Sequence, residues 1–348
     1  MIEIIKKDSG HDAVDIVTVT NTHGAKAVFC SVGAGIVSVE VPDRNGRLDD
    51  VVLGYADPLS YFGDGPAAGK VPGRYANRIG GARFTLDDET YELPVNNGPN
   101  CLHGGPLGFH NLNWELMSAE GDTVVFRHIA ADGEMGFPGR LEATATYRWT
   151  DDFRLELTLH AVTDKPTVVN LTNHAYWNLA GHNAGSVLDH ELQIAATHWL
   201  PTDDTLVPTG ILAPVEGTPM DFRTPKAIGR DIHADFDALR FGKGYDNCWT
   251  IDGYDGTMRT AAVLTESGTG RRLEVITDQP AAQVYTGNWL AGSPLNKQLR
   301  SYDDYDGVAI ECQNYPDAPN KLQFPDCVLR PGEEYVRHIT YSFSTLKQ

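Results

Sequence analysis

Six segments of this chain set polar and ionisable side chains among aromatic and glycine residues, a mixture that a loop with only a connecting task does not need. They are GRYANRIGGARF with Asn77 and Arg78, NGPNCLHGG with His103, VVNLTNHAYWNLAG with His174, GKGYDNCW with Asp246, AAQVYTGNWL with Gln283, and VAIECQNYPDAPN with Glu311 and Gln313. Glu311 follows the apolar run Val308-Ala309-Ile310, which places a carboxylate at the inner end of a strand and partly buries it. Such burial is costly unless the group is paired or hydrogen-bonded, so buried carboxylates concentrate at functional sites. His174 lies in a run of Asn170, Thr172, Asn173, Tyr176, Trp177 and Asn178, the composition of a carbohydrate cleft. Aromatic faces pack on the apolar faces of a sugar ring, while amides, carboxylates and arginine reach its hydroxyls.

Each segment also has a plainer reading when taken singly. Arg78 before Ile-Gly-Gly can cap a turn, and His103 beside Gly104-Gly105 can be a loop histidine satisfied by carbonyls. Asp246 before Asn247 can be a turn aspartate, and His174 a satisfied core histidine. Other chemistries lack their motifs. Gly33-Ala34-Gly35 has neither the third glycine nor the following helix of a dinucleotide loop, and there is no P-loop or GxSxG elbow, so no nucleotide cofactor is indicated. His174, His182, His190 and His198 are evenly spaced, but Gly181, Asn183 and Gly185 interrupt any strand that would align them. No HxxxH or Cys/His cluster marks a metal site, so neither metal nor organic cofactor is expected. Asn170-Leu171-Thr172 matches a glycosylation acceptor.

The elements that must gather these segments read as strands. From Phe153 to Ala161 the residues Phe153, Leu155, Leu157, Leu159 and Ala161 are apolar and the intervening ones polar, the period of a half-buried strand. LEATATYRW before it reads as its hairpin partner, with Thr150-Asp151-Asp152 at the turn. ARFTLDDETYEL repeats the pattern around Asp87-Asp88, and YVRHITYSFS puts Tyr335, Ile339, Tyr341 and Phe343 on one face. Helical candidates are short: DPLSYF from Asp57, and PKAIGRDIHADFDAL from Pro225, where Ile228, Ile232, Phe236 and Leu239 fall at helical spacing. With no linker, repeat or composition shift, residues 1–348 read as one all-β domain. The expected architecture is a large antiparallel β-sandwich of two packed sheets with a few short helices, long loops carrying most of the polar segments.

Composition narrows the partners. The 348 residues carry 28 Lys+Arg against 47 Asp+Glu, a formal charge of −19, which leaves no basic surplus for nucleic acid. Hydrophobic residues at 41% exclude a disordered chain, and 35 glycines with 20 prolines suit many strands joined by turns. The apolar start of the chain is broken at once by Lys6, Lys7 and Asp8, unlike a signal peptide, and no window approaches a membrane span. Five cysteines, an odd number without a CxxC pair, fit free thiols in a reducing cytoplasm.

Taken together and in order, the arginine segment, the LHGG segment, DGEMGFPGRLEATATY, NHAYWNLAG, LDHELQI, GYDNCW, QVYTGNWL and IECQNYPDAPN resemble the aldose 1-epimerase family, the galactose mutarotases. The resemblance implies the family's large β-sandwich, the galactose mutarotase-like supersandwich. It also implies interconversion of the α and β anomers of free aldohexoses such as galactose and glucose, without a cofactor. It further implies Glu311 as general base and His174 as general acid, with Asn77, Arg78, His103, Asp246 and Gln283 binding the sugar. A cytoplasmic monomer or homodimer is expected.

The sequence departs from the pattern in FGDGPAAGKVP, ahead of Gly73, and in Tyr75, Ala175 and Trp177, departures that fall near the expected pocket and bear on substrate preference. Two alternatives stand beside this one: a non-catalytic sugar-binding protein on the same fold, and a hexose-phosphate epimerase. The first needs neither Glu311 nor His174. The second needs a basic cluster, whereas the segments hold only Arg74, Arg78, Arg83 and Lys243.

Overall fold

Leu141–Trp149 and Arg154–Thr163 form the expected hairpin, with Ala143, Ala145 and Tyr147 opposite Ala161, Leu159 and Leu157 and all six side chains buried. The turn closes where Phe153 adopts φ 58° and the Thr150 hydroxyl accepts from the Arg154 N–H at 3.0 Å. This computed structural model describes residues 1–8, 10 and 13–346. The Asp87-Asp88 turn is also as expected: both residues lie in the left-handed region, at φ 50° and 65°, which matches the twist of the strands they join.

Three large sheets are present, all with antiparallel pairing, where the alternation led us to expect two. One has five strands, from Ile2–Lys7 to Leu48–Asp50. A second, of nine strands, contains the hairpin above and continues through Tyr335–Thr345, Arg271–Thr277 and Arg259–Thr265. The third runs Tyr176–Trp177, Val308–Gln313, Ala281–Tyr285, Asp246–Thr250, His198–Leu200 and Ala213–Pro214.

Strand alternation gives this six-stranded sheet two unlike faces. Trp249, Ala282, Val284, Val308 and Ile310 turn one way, into a core they share with Leu157, Val275, Ile339 and Tyr341 of the nine-stranded sheet. The Trp177 ring, 4.8 Å from that of Tyr341, belongs to the same contact. The opposite face carries Tyr176, Asp246, Gln283, Tyr285 and Glu311, as the register of the four strands requires. Three of the polar segments therefore place their key residue in the central strands of a sheet rather than in long loops. A sheet packed on one face is a stiffer mount than a loop.

Helix content is smaller than the apolar spacing suggested. Pro58–Tyr61 is a short 3-10 turn capped by Asp57. In the stretch from Pro225, Lys226–Ala227 pairs with the strand Glu191–Ile194, Ile228–Arg230 forms a 3-10 turn, and only Asp237–Gly242 is α-helical. A side chain at Gly229 would press to 3.0 Å from Leu188, so the chain packs there by close approach instead of by helical winding. All five cysteines are buried and free. Among the described residues no helix is long and apolar enough to cross a membrane.

Candidate active site

Across three neighbouring strands the register sets Cys248, Gln283 and Glu311 side by side, with Asp246 and Tyr285 paired one step along. This patch forms the floor of a cavity of about 490 Å³, lined among others by Asn77, Arg78, His103, His174, Asp246 and Glu311. Six of the seven expected site residues thus converge. Gln283 lies behind Asp246 instead: it is 3% exposed, and its Nε2 donates to Asp246 Oδ1 at 2.6 Å. It orients the residue that faces the cavity.

Asn77, Arg78 and His103 come from a second element, the short pairing of Arg78–Ile79 with Cys101–Leu102. Asn77 and His103 stand opposite each other in the left-handed region, at φ 62° and 54°. Their bonds are reciprocal, the His103 N–H donating to Asn77 O at 3.0 Å and the Asn77 N–H to His103 Nδ1 at 3.1 Å. Non-glycine residues held there store strain and mark functional sites. Gly104 explains part of the LHGG segment: at φ 81° a Cβ would sit 2.1 Å from Gly73 O. Arg78 is held from two sides, its Nε donating to Asn97 Oδ1 at 3.0 Å and its Nη2 to Asp246 Oδ2 at 3.4 Å.

His174 Nε2 lies 3.4 Å from Glu311 Oε1, and both residues are almost wholly buried. Glu311 Oε2 and His174 Nδ1 have no protein partner. Burial pushes the Glu311 carboxyl well above its usual range, the Asp246 charge pushes it further and Arg78 opposes. Burial takes His174 the other way, to about 4, with Asp246 opposing and Lys70 adding to the fall. His103 is also held well below its usual value by burial and by its cationic neighbours. The neutral pair, carboxylic acid with imidazole, and the ionic pair, carboxylate with imidazolium, hold the same single proton. A proton can therefore leave one partner and reach the other through a bound molecule with no change in the pair's total charge.

Donor atoms of His103, His174 and Glu311 lie within 4.8 Å of one another, a histidine–histidine–carboxylate set of the kind that can hold zinc. The His103 ring does not fit that task. Its Nδ1 accepts a backbone N–H, so the proton of the neutral ring is on Nε2, and a metal there would force an Nδ1–H against that N–H. His103 is arranged as a hydrogen-bond donor to the cavity.

Side chains not singled out from the sequence complete the wall: Tyr285, Trp289, Asn97 and Phe241. Tyr285 shares a face with Gln283 by strand alternation, a signal that could have found it. Asn97 opens the NGPNCLHGG segment, in which only His103 stood out, and Phe241 comes from the short helix Asp237–Gly242 with no such cue. Tyr75, Ala175 and Trp177, expected near the pocket, point elsewhere: Ala175 and Trp177 into the main core, and the Tyr75 hydroxyl to Tyr315 O at 2.9 Å. Of the four basic residues weighed for phosphate, only Arg78 lines the cavity. Arg74 is buried against Pro138 O and Gly139 O, and Lys243 pairs with Asp304 over the Trp289 ring. Asn170 of the glycosylation triplet is wholly buried and donates to Ala76 O at 3.2 Å, which closes it to glycosylation in the folded chain.

Comparison with known proteins identifies the family and the fold. The family model described as aldose 1-epimerase matches residues 15–342. The galactose mutarotase of Rattus norvegicus is 42% identical over 316 residues, 90% of each chain. The aldose 1-epimerase of Escherichia coli K12 is 39% identical over 330 residues, 94% of each. Among solved structures, the aldose epimerase homologue from C. elegans superposes with a TM-score of 0.89 at 32% identity, covering 96% of this chain and 100% of that one. Galactose 1-epimerase from Lactobacillus acidophilus does so with 0.87 at 27% identity, covering 100% and 99%.

Proposed function

The chain belongs to the aldose 1-epimerase family, enzymes of sugar anomer interconversion, and on that premise we propose that its substrates are free aldohexoses, galactose and glucose, with Glu311 as base and His174 as acid. One observation carries the reading: a carboxylate and an imidazole 3.4 Å apart on the buried floor of a cavity whose lining includes Asn77, Arg78, His103, Asp246 and Tyr285. Ring opening needs one proton removed from the anomeric hydroxyl and one delivered to the ring oxygen. Glu311 takes the first and His174 gives the second, so the ionic pair becomes the neutral pair as the aldehyde forms. Rotation about the bond between the aldehyde carbon and its neighbour turns the other carbonyl face to the attacking hydroxyl. Closure then runs the two transfers backwards and restores the ionic pair.

The burial that favours the neutral pair favours the state that accompanies the aldehyde. Arg78, Asn77, Asp246 and the Nε2–H of His103 bind the ring oxygen and hydroxyls, and Tyr285 packs on an apolar face of the sugar. Positioned acid–base catalysis contributes about 10²–10⁴-fold per group, enough for a reaction that water alone supports slowly.

Polarimetry on freshly dissolved α-galactose and α-glucose tests the proposal, with galactose 6-phosphate in parallel. The expected result is faster decay of rotation for both free sugars and little effect on the phosphate, since one arginine faces the cavity. Acceleration confined to the phosphate would replace the substrate assignment, and none on any free aldose would leave a sugar-binding protein.

A further inference from the structure

The segment FGDGPAAGKVP, residues 62–72, contains a lysine, Lys70, that the acid–base scheme does not use. Lys70 is wholly buried, and its Nζ makes an ion pair with the equally buried Asp64. The same Nζ donates to Tyr61 O at 2.6 Å and to Asn111 Oδ1 at 3.2 Å. Asp64 Oδ2 accepts from the Tyr55 hydroxyl at 2.8 Å and from the Ala68 N–H at 2.9 Å, which fills the carboxylate.

The stem of Lys70 crosses the Gly33-Ala34-Gly35 turn. A Cβ at Gly33, where φ is 62°, would meet Lys70 Cβ at 2.9 Å and His110 O at 2.6 Å. The glycines that looked like a fragment of a nucleotide loop are instead the space through which this lysine reaches its partner.

The backbone of Lys70 abuts that of the catalytic histidine. The His174 N–H donates to Lys70 O at 2.8 Å, and the Gly69 N–H donates to His174 O at 2.9 Å, so the end of the segment is laced to the backbone of His174 from both sides. Asn173 Nδ2 donates to Gly69 O at 2.6 Å. Earlier in the segment, Gly65 and Pro66 line the cavity, and Pro66 O accepts from the Tyr176 hydroxyl at 2.9 Å. Asp64 and Lys70 thus bracket the piece of chain that forms this wall.

We propose that Lys70, fixed by Asp64, is a positioning residue that holds the Gly65–Pro66 wall and the His174 backbone in register and keeps a positive charge near the imidazoles of His103, His110 and His174. Those three rings form one cluster, with centroids 5.7 Å apart for His103 and His110 and 5.5 Å for His103 and His174. A cation near them disfavours a second positive charge in the cluster, so the ring proton of His174 is readily given up. Lys70 lowers the protonation of all three, alongside burial. The other charged and titratable groups around the cluster are Arg78, Asp246, Glu311, Asp64, the thiol of Cys30 and the hydroxyls of Tyr55, Tyr61, Tyr176 and Tyr285.

The kinetic meaning rests on the acid role of His174, so the test has an arm that does not need turnover. In Lys70→Met, NMR titration of the histidine rings should show the His174 midpoint raised by about half a pH unit or more. The low-pH limb of kcat/KM should rise with it. The variant Asp64→Asn/Lys70→Met, which removes both charges and keeps the volume, should show a smaller upward shift, because the Asp64 anion, which favours protonated rings, goes with the cation. Unmoved imidazole midpoints in a folded variant overturn the proposal, as does failure of both variants to fold, which would make the pair purely structural. A moved midpoint without aldose turnover by any form would leave this proposal standing and sink the substrate assignment.

Discussion

Glu311 and His174 act as a unit that carries one proton, and the chemistry follows from what burial does to each. With His174 lowered to about 4 and Glu311 raised well above 4.5, adding a second proton to the pair removes the base only at acid pH. Losing the single proton removes the acid only above the raised carboxyl value. The sign is therefore a kcat/KM that falls on the acid side near 4 and holds steady through 6.5, where an ordinary histidine acid would fail. A pH profile of initial mutarotation rates checks this, and a loss centred at 6.5 would contradict it.

His174→Asn should lower kcat by about 10²-fold or more while moving KM less than about threefold, because the acid acts in the transition state. Gln283→Leu strips Asp246 Oδ1 of its partner and should raise KM by about three- to tenfold with a smaller effect on kcat, measurable in the same assay.

At the scale of elements, the site is a sheet face roofed by a strained pairing. The LHGG segment bears the tightest packing: Gly104→Ala would drive a methyl against Gly73 O in a conformation that resists any side chain. It should destabilise the protein by about 3 kcal/mol, and thermal unfolding would show a lower Tm. The strands were legible because half-burial imposes its own period, as in Leu155, Leu157 and Leu159. The Asp87-Asp88 turn was legible because two short polar residues tolerate the left-handed backbone it needs. The stretch from Pro225 was not, since Ile228 and Ile232 are buried without an α-helix and only Leu239 lies in one; helical spacing records burial, and irregular chain pairing at Lys226–Ala227 satisfies it equally.

Residue pattern alone offered Glu311 only as a buried carboxylate. Its opposition to Gln283 and its contact with His174 depend on which strands pair, a non-local property that no local window contains. Phe241, brought to the cavity from the helix Asp237–Gly242, is invisible for the same reason.

For the molecule as a whole, the −19 charge lies outside the argument for catalysis. A neutral sugar is not steered by net charge, so kcat/KM should change by less than about twofold between about 0.05 and 0.5 M salt, whereas a charged substrate would respond strongly. One core cluster joins residues of all three large sheets, from Phe29 through Tyr147 to Ile310. Unfolding followed by tryptophan fluorescence and by circular dichroism should accordingly give coincident transitions, and two separated transitions would divide the chain into independent units.

The proposed chemistry converges on one carboxylate, Glu311, in the strand Val308–Gln313. The decisive measurement is the decay of optical rotation of fresh α-galactose with the unmodified protein and with folded Glu311→Gln at equal concentration. The account predicts acceleration by the first and a loss of about 10²–10⁴-fold in the second; equal acceleration by both would remove Glu311 as the base.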